Sequence, residues 1–237
     1  MVSRSSFVML WHIVLFLRHY VAELSMFKFK ILAMMWSKNN MSFLDHIKQR
    51  RTIYAVGKNV ALTPEQIESV IKEAVNHSPS AFNSQTSRIV TLFGESHLQF
   101  WNIVRETLRK IVPEAAFEGT NTRINSFAAG YGTVLFYEDQ DVVKSLQEQF
   151  ALYADNFPVW SEHSSAIAQF AVWTALSEQN IGASLQHYNP IVDAEIAEIF
   201  DIPANWKLRA QLVFGSIEAP AGEKTFMAEA DRFKTFN

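Results

Sequence analysis

Residues 132–137, Gly-Thr-Val-Leu-Phe-Tyr, constrain the fold more than any other part of the chain. The run is almost continuously apolar, which is typical of a strand that is buried on both faces of its sheet. Further strands are predicted over residues 88–93 and 207–217. Because a sheet with two buried faces needs helices packed on each side, the sequence predicts an α+β fold with at least three core strands.

Helices are predicted between these strands, and the clearest one begins at Thr63. Thr63 can cap a helix, Pro64 suits the first helical position, and Gln66 completes a capping box. Apolar residues then recur at helical spacing as far as Val75. A short helix that starts near Phe43 is also expected. The remaining helices are predicted over residues 98–111, 141–153, 161–180 and 193–200, with residues 113–129 helical only in part.

The longest of these helices, residues 161–180, is apolar around much of its circumference. Such a helix lies either in the core or at an oligomer interface. Asn180, Ile181 and Gly182 are expected to end it with a left-handed residue, and Asp193 is expected to cap the helix that follows. Since no repeat or linker interrupts the chain after Met41, residues 41–237 are predicted to form one domain.

The composition excludes several classes of function. The chain has no cysteine, so disulfides, thiolate metal sites, iron–sulfur clusters and cysteine nucleophiles are all ruled out. Its net charge of -3 gives no electrostatic reason to expect nucleic-acid binding. Hydrophobic residues make up 49% of the chain and charged residues 19%, which is a globular composition.

Residues 1–40 differ from the rest, because all 8 glycines and all 7 prolines come after them. Their apolar run from Phe7 to Leu17 is shorter than the roughly 20 residues that span a bilayer. Three interpretations stay open: an extension from an upstream start codon, a peripheral membrane or targeting element, and an extra helix on the domain. Unless the second holds, no membrane association is expected, and the predicted location is the cytoplasm.

Two short segments indicate chemistry. Arg50, Arg51 and Thr52 place two guanidinium groups and a hydroxyl together, which suits a phosphate; the alternative is a solvated basic helix end. The segment Ser-Pro-Ser-Ala-Phe-Asn-Ser-Gln, residues 78–85, offers the mixed donors and acceptors of Asn83 and Gln85, which suit the edge of a flavin ring. The alternative for this segment is an ordinary turn with a helix cap.

Two further segments add polar groups. The segment Leu185-Gln186-His187-Tyr188, which follows Gly182, could lie along one face of a flat ring, although His187 could equally be a surface or core histidine. Arg232 and Lys234 lie on one side of the C-terminal segment and could supply more charge for a phosphate, unless they belong to a frayed basic tail. No glycine-rich phosphate loop and no metal-ligand spacing occur, so no metal is expected.

Taken in order, these segments resemble the FMN-dependent nitroreductase family, and most closely its small branch of fatty-acid-repression-type and stress-induced enzymes. The resemblance runs from about Met41 to Asn237 and includes the helix start at Thr63. It implies a central mixed or antiparallel sheet flanked by helices, and an interlocked homodimer with FMN at the subunit interface. Thr86 and Ser87 replace the usual Pro-Trp, and His187 replaces the usual glutamate; both differences favour the small branch.

The resemblance also implies roles for the residues above. Arg50, Arg51 and Thr52 would bind the FMN phosphate, with Arg232 and Lys234 returning to it. Asn83 and Gln85 would approach the ring and ribityl chain. Leu185, Gln186 and His187 would pass beside the reactive N5 atom, where His187 is a candidate proton donor.

The implied activity is a ping-pong oxidoreductase that uses NAD(P)H and a nitroaromatic or quinone acceptor, with a possible role in stress response. Because the flavin carries the chemistry, no side chain is assigned as the catalytic acid or base. The alternative is a non-enzymatic flavin-binding or stress-response protein on the same scaffold.

Overall fold

A five-stranded antiparallel sheet forms the centre of the fold in the computed structural model, which describes residues 41–236. Its strands are β1 (Val56–Gly57), β2 (Ser87–Phe93), β3 (Gly132–Asp139), β4 (Gly182–Gln186) and β5 (Trp206–Ile217). The long strand β5 pairs with β3, which pairs with β2, and β5 also pairs with both β4 and β1. The three predicted strands are confirmed, whereas β1 and β4 were not predicted.

Eight α-helices lie in the described residues. Two short 3₁₀ turns, Ala81–Asn83 and Ala151–Asn156, accompany them. The helices are α1 (Phe43–Gln49), α2 (Pro64–Asn76), α3 (Gly94–Arg109), α4 (Glu114–Ala128), α5 (Gln140–Gln149), α6 (Phe157–Glu178), α7 (Asp193–Ile199) and α8 (Glu229–Arg232).

Both faces of the sheet are covered, which is what the apolar run of β3 predicts. Leu135 and Tyr137 point into a cluster with buried residues of α3, α4 and α7. Val134 and Phe136 point into a second cluster with buried residues of α2 and α6. Because successive side chains of a strand point to opposite faces, all eight residues of β3 are buried. The α+β prediction with helices on both sides is therefore confirmed.

Local chemistry fixes the start of α2 as predicted. The Thr63 N–H donates to Gln66 Oε1 at 2.9 Å, and the Gln66 N–H donates to Thr63 Oγ1 at 3.3 Å. This is the reciprocal capping box, with Pro64 as the first helical residue. The buried residues Ile67 and Ile71 then direct the helix onto the sheet.

Two details of the predicted helices were wrong, and the left-handed stop after the longest helix was correct. The longest helix, α6, begins at Phe157 and not at residue 161, because Pro158 is compatible with its first turn. Asp193 does not cap α7; it is the first helical residue, and Val192 precedes it as the cap. The predicted left-handed stop after α6 is confirmed: its left-handed residue is Asn180, with φ 58°, and Gly182 already belongs to β4.

The segment 113–129 is also more regular than predicted, because α4 is a continuous helix of 15 residues. Its start lacks a side-chain cap, and its buried positions are widely spaced: Phe117, Ile124 and Phe127. A sparse apolar stripe of this kind gives a weak helical signal in the sequence.

The chain divides between Ile47 and Lys48, and the part from Lys48 onward forms one compact unit. In the other part, Ser42 accepts the backbone N–H groups of Asp45 and His46 and so begins α1. The predicted boundary at residue 40 lies at the edge of the described residues and stays a prediction, as do the three interpretations of residues 1–40. Among the described helices, none has the length and apolar character needed to span a bilayer.

Candidate functional site

The segment that carries Arg50 is held beside the start of β4. Thr52 forms a parallel bridge with Ala183, and the Ile53 N–H donates to the Ala183 carbonyl at 2.9 Å. This pairing turns the Arg50 side chain toward the second half of α6. Its guanidinium carbon lies 4.5 Å from the centre of the Trp173 ring and 5.8 Å from that of Phe170.

Two hydrogen-bond donors in this contact are buried and have no acceptor in the structure. They are Arg50 Nε and Trp173 Nε1. Burial lowers the pKa of Arg50, and the neighbouring charge of Arg51 lowers it further, so the site favours the arrival of an anion. Because buried donors are almost always paired in folded proteins, two adjacent donors without acceptors indicate a position for an oxygen-rich, negatively charged group. A phosphate fits these donors.

Arg51 has a different neighbour. Its Nη2 donates to the Gly222 carbonyl at 2.6 Å, so this side chain fastens the start of the C-terminal segment to the chain near Arg50. Arg232 and Lys234 lie further along that segment and are exposed. Arg232 stacks on Phe233, with its guanidinium carbon 5.6 Å from the ring centre. Within residues 48–236, no hydrogen bond or ion pair brings either residue to Arg50.

The segment 78–85 lines a cleft of about 440 Å³. Gln85 lines it, whereas Asn83 is exposed on the adjoining 3₁₀ turn. The backbone here is unusual because Phe82, Asn83 and Gln85 all have positive φ, at 57°, 50° and 46°. Other polar residues that line the cleft are Asn76, Ser78, Ser80, Ser84, Ser87 and Ser164.

Arg88 holds this loop in place. Its guanidinium donates to the carbonyls of Gln85 at 2.7 Å and Ser87 at 3.2 Å, and to Asp139 Oδ2 at 2.9 Å. The Ser80 hydroxyl accepts the Gln85 N–H at 2.9 Å. Since Arg88 itself lines the cleft, the cation both shapes the loop and adds positive charge to the cavity wall.

The buried carboxyl group of Glu138 is linked to the cleft through the hydroxyl of Ser87, which lines it. The Ser87 hydroxyl donates to Glu138 Oε1 at 2.5 Å, and the Ser161 hydroxyl donates to Oε2 at 2.6 Å. Glu138 is fully buried. Burial raises its pKa, although the hydrogen bonds from the serines oppose that effect. The sequence analysis missed Glu138, whose signal is an acidic residue at the end of an otherwise apolar strand.

The third predicted segment is partly a strand and not a loop. Leu185 and Gln186 end β4 and are half-buried, and the loop begins at the exposed His187. Gln211 holds this loop: its Oε1 accepts the Tyr188 N–H at 2.7 Å, and its Nε2 donates to Asn189 Oδ1 at 3.2 Å. Gln211 is fully buried in β5, and a glutamine inside an apolar strand was the signal that the sequence analysis overlooked.

Helix α6 connects the two groups of predicted residues. Trp173 contacts Arg50, whereas Ser164 and Ala168 line the cleft of segment 78–85. Nine residues of helix separate Ser164 from Trp173, which corresponds to roughly 14 Å along the axis. Within residues 48–236, no hydrogen bond or ion pair joins Arg50 to Asn83 or Gln85. One chain therefore presents two separate polar clusters on the same helix.

Comparisons with known proteins agree with this fold. The family model "Nitroreductase family" matches residues 47–216. The Saccharomyces cerevisiae protein HBN1 is 36% identical over 188 residues, which cover 78% of this chain and 93% of HBN1.

Solved structures agree as well. Nitroreductase CinD from Lactococcus lactis, solved with nicotinic acid, is 55% identical, with a TM-score of 0.77 over 83% of this chain and 100% of CinD. CinD has also been solved with chloramphenicol, with a TM-score of 0.76. A Desulfovibrio desulfuricans structure in complex with FMN shares only the fold, at 17% identity and a TM-score of 0.60 over 82% of this chain and 97% of that one.

The family match covers well over half of the chain, and the identity to HBN1 extends over more than two thirds of both proteins. The residues matched by the family model include Arg50, the cleft segment 78–85 and strand β4. The chain belongs to the nitroreductase family, a family of oxidoreductases.

Proposed function

We propose that this protein is an FMN-dependent oxidoreductase that takes reducing equivalents from NAD(P)H and delivers them to a nitroaromatic or quinone acceptor by a ping-pong mechanism. The observation that carries the proposal is the buried, unpaired Nε of Arg50 beside β4. When bound, FMN would supply the hydride chemistry at its N5 atom, and the protein would supply position and electrostatics.

The phosphate would be held by Arg50, with the Thr52 hydroxyl nearby. Arg50 is favoured because burial lowers its pKa and leaves Nε without an acceptor, so an anion relieves both costs. Arg51 would act mainly through its hydrogen bond to the Gly222 carbonyl, which holds the C-terminal segment in place. Arg232 and Lys234, further along that segment, would then reach the phosphate. We assign the ring and ribityl contacts to Asn83, Gln85 and the segment from Leu185 to His187.

We further infer that each site takes groups from two copies of the chain. The Arg50 cluster and the cleft of residues 78–85 are separated along α6, which supports sites built from different subunits. The C-terminal segment supports the same arrangement, because it exposes four large apolar side chains, a cost that a partner surface would remove. These side chains are Phe226, Met227, Phe233 and Phe236.

The acceptor class is supported by the relatives. CinD has been solved with chloramphenicol and with 4-nitrophenol, which are both nitroaromatic. The cleft beside Gln85 is polar and carries the Arg88 cation, which suits the oxygens of a nitro group or quinone. The exposed His187 is the candidate proton donor near N5. A cytoplasmic location and a role in stress response stay predictions from the sequence.

The first experiment is the visible spectrum of the protein reconstituted with FMN, before and after anaerobic NADH or NADPH. We expect a flavin spectrum that bleaches and then recovers when a nitroaromatic or quinone is added. A protein that does not take up FMN would contradict the proposal. Tightly held FMN without oxidation of either nucleotide would favour the non-enzymatic alternative.

A matched pair of variants tests the phosphate assignment. Arg50→Met should weaken FMN binding by roughly 1.5–3 kcal/mol, because a charge-assisted hydrogen bond is lost. Lys72→Met removes a cation from the exposed face of α2, where Lys72 pairs with Glu68, and should leave FMN affinity unchanged. Equal affinities of the wild type and Arg50→Met would rule out this phosphate site.

A further inference from the structure

We infer that the indole N–H of Trp173 is an additional phosphate donor, which makes the site select a phosphorylated flavin over a neutral one. This inference rests on the proposed function. It assigns a binding role to a residue that its helical spacing alone would place among the core positions.

The geometry of the contact leaves the indole N–H available. The Arg50 guanidinium carbon lies over the Trp173 ring, 4.5 Å from its centre. An indole N–H points outward in the plane of the ring, so a cation stacked on the face does not occupy it. Arg50 Nε is bonded to that guanidinium carbon, so the two unpaired donors lie close together. One oxygen-rich group at the edge of the stack can accept from both donors.

Both donors are buried, so leaving them without an acceptor costs free energy. Trp173 Nε1 and Arg50 Nε have almost no contact with solvent and no hydrogen-bond partner in the structure. A fully buried indole elsewhere in the described residues behaves differently, because Trp101 Nε1 donates to Thr133 Oγ1 at 2.9 Å. Since buried Trp N–H groups usually find a partner, the acceptor for Trp173 is expected to come from a bound molecule.

The chemistry of the two donors selects the ligand. An indole nitrogen only donates, and a guanidinium only donates, so neither can bind a cation or the hydrogen of a hydroxyl. A phosphate presents several acceptor oxygens and a negative charge that the Arg50 cation stabilises. A flavin that lacks the phosphate ends in a neutral hydroxyl and gains little from either donor.

The test compares FMN with riboflavin on the variant Trp173→Phe, which keeps an aromatic ring under Arg50 and removes the N–H. Dissociation constants are measured by quenching of flavin fluorescence. We expect FMN affinity to fall roughly 10- to 150-fold, the usual effect of losing one hydrogen bond to a charged group, with riboflavin affinity unchanged within about twofold. Equal losses for both flavins, or no loss for FMN, would overturn the inference.

Trp101→Phe is the matched control. It also removes an indole N–H, but one that already bonds Thr133 on the opposite side of the sheet. It should lower stability and leave the ratio of FMN to riboflavin affinity at the wild-type value. Because unfolded protein reduces both affinities equally, the ratio separates a binding role from a folding defect.

A second measurement does not depend on flavin binding. In a ¹H–¹⁵N spectrum of indole-labelled protein, the resonance missing from Trp173→Phe identifies Trp173. We expect it to shift when inorganic phosphate is added and to stay in place with chloride at equal ionic strength. If the wild type binds no flavin, the proposed cofactor fails, yet a phosphate-dependent shift would still support Trp173 as a donor; an unmoved resonance would refute it.

Discussion

Arg88 and Asp139 form an ion pair of 2.9 Å that fastens the cleft loop to the end of β3. The same guanidinium donates to the Gln85 and Ser87 carbonyls, while Asp139 also accepts the Asn205 amide at 2.8 Å and the N–H groups that begin α5. One pair therefore connects the loop, the sheet and a helix start.

Replacement of Arg88 by methionine should cost roughly 2–4 kcal/mol of unfolding free energy, because Asp139 then stays buried without its cation. FMN affinity should also fall, since Gln85 loses the contact that positions its backbone. Urea unfolding and flavin titration measure the two effects. The control is the surface pair of Lys72 and Glu68: Lys72→Met should change stability by less than about 1 kcal/mol, and a similar loss in both variants would contradict this role for Arg88.

The unfolding free energy of Glu138→Gln, relative to that of the wild type, should increase as the pH rises. The buried carboxyl has a pKa above its usual range, so the folded state favours its protonated form. Stability from this group is present at low pH and is lost as the pH rises through the folded pKa. Urea unfolding at pH 4, 6 and 8 should therefore show a smaller advantage of the variant at pH 4 than at the two higher pH values. A constant difference at all three pH values, as expected for the exposed control Glu148→Gln, would contradict the assignment.

His97 should make stability fall in mild acid. Burial lowers its pKa to about 4, and the charge of Lys58 adds to the effect. The unfolded state then binds a proton near pH 6.5 while the folded state does not, so stability is complete above that pH and is lost as the pH falls toward 4. Between pH 7 and pH 5 the loss should be about 2 kcal/mol.

His97→Gln tests this by removing the titrating group. The stability difference between the wild type and the variant should shrink as the pH falls from 7 to 5. His163→Gln exchanges an exposed histidine of α6 and should follow the wild-type curve. Parallel curves for the wild type and His97→Gln would show that His97 does not carry the acid sensitivity.

Gly215 should not tolerate alanine. A Cβ there would collide with the Gly57 carbonyl and lie 3.1 Å from the Tyr131 nitrogen, so β5 could not keep its close approach to β1. We expect a loss of roughly 1–3 kcal/mol, the usual cost of overpacking. Gly119 on α4 is the control, because a Cβ there meets nothing within 4 Å. Gly119→Ala should stabilise the protein by about 0.5–1 kcal/mol. Thermal unfolding of both variants measures these effects, and an equal stability of the two variants would contradict the prediction.

The parts of the fold that were predicted correctly depend on local chemistry. The start of α2 follows from Thr63, Pro64 and Gln66, which need only each other. Strand β4 was missed because Gly-Ala-Ser-Leu-Gln has neither alternation nor β-branched residues. It becomes a strand because β5 offers it an edge, and such pairing depends on residues distant in sequence.

The candidate site divides in the same way. Arg50 and Gln85 were predicted from short segments rich in hydrogen-bonding groups, and their role in binding stays a prediction. Trp173 was not, because its helical spacing is that of a core residue and its contact with Arg50 exists only in three dimensions. The roles of Asn83, His187, Arg232 and Lys234 also remain predictions, and all four residues are exposed in the single chain.

The number of residues in helix α6 matters as much as their chemistry for placing the two polar clusters. It carries Ser164 at the cleft and Trp173 under Arg50. One residue inserted between them would rotate the second half by about 100° and advance it by about 1.5 Å. Trp173 would then leave Arg50 while Ser164 kept its place. Insertions and deletions inside α6 should therefore be far more harmful than substitutions on its surface, because the number of residues in this helix sets the distance between the two polar clusters.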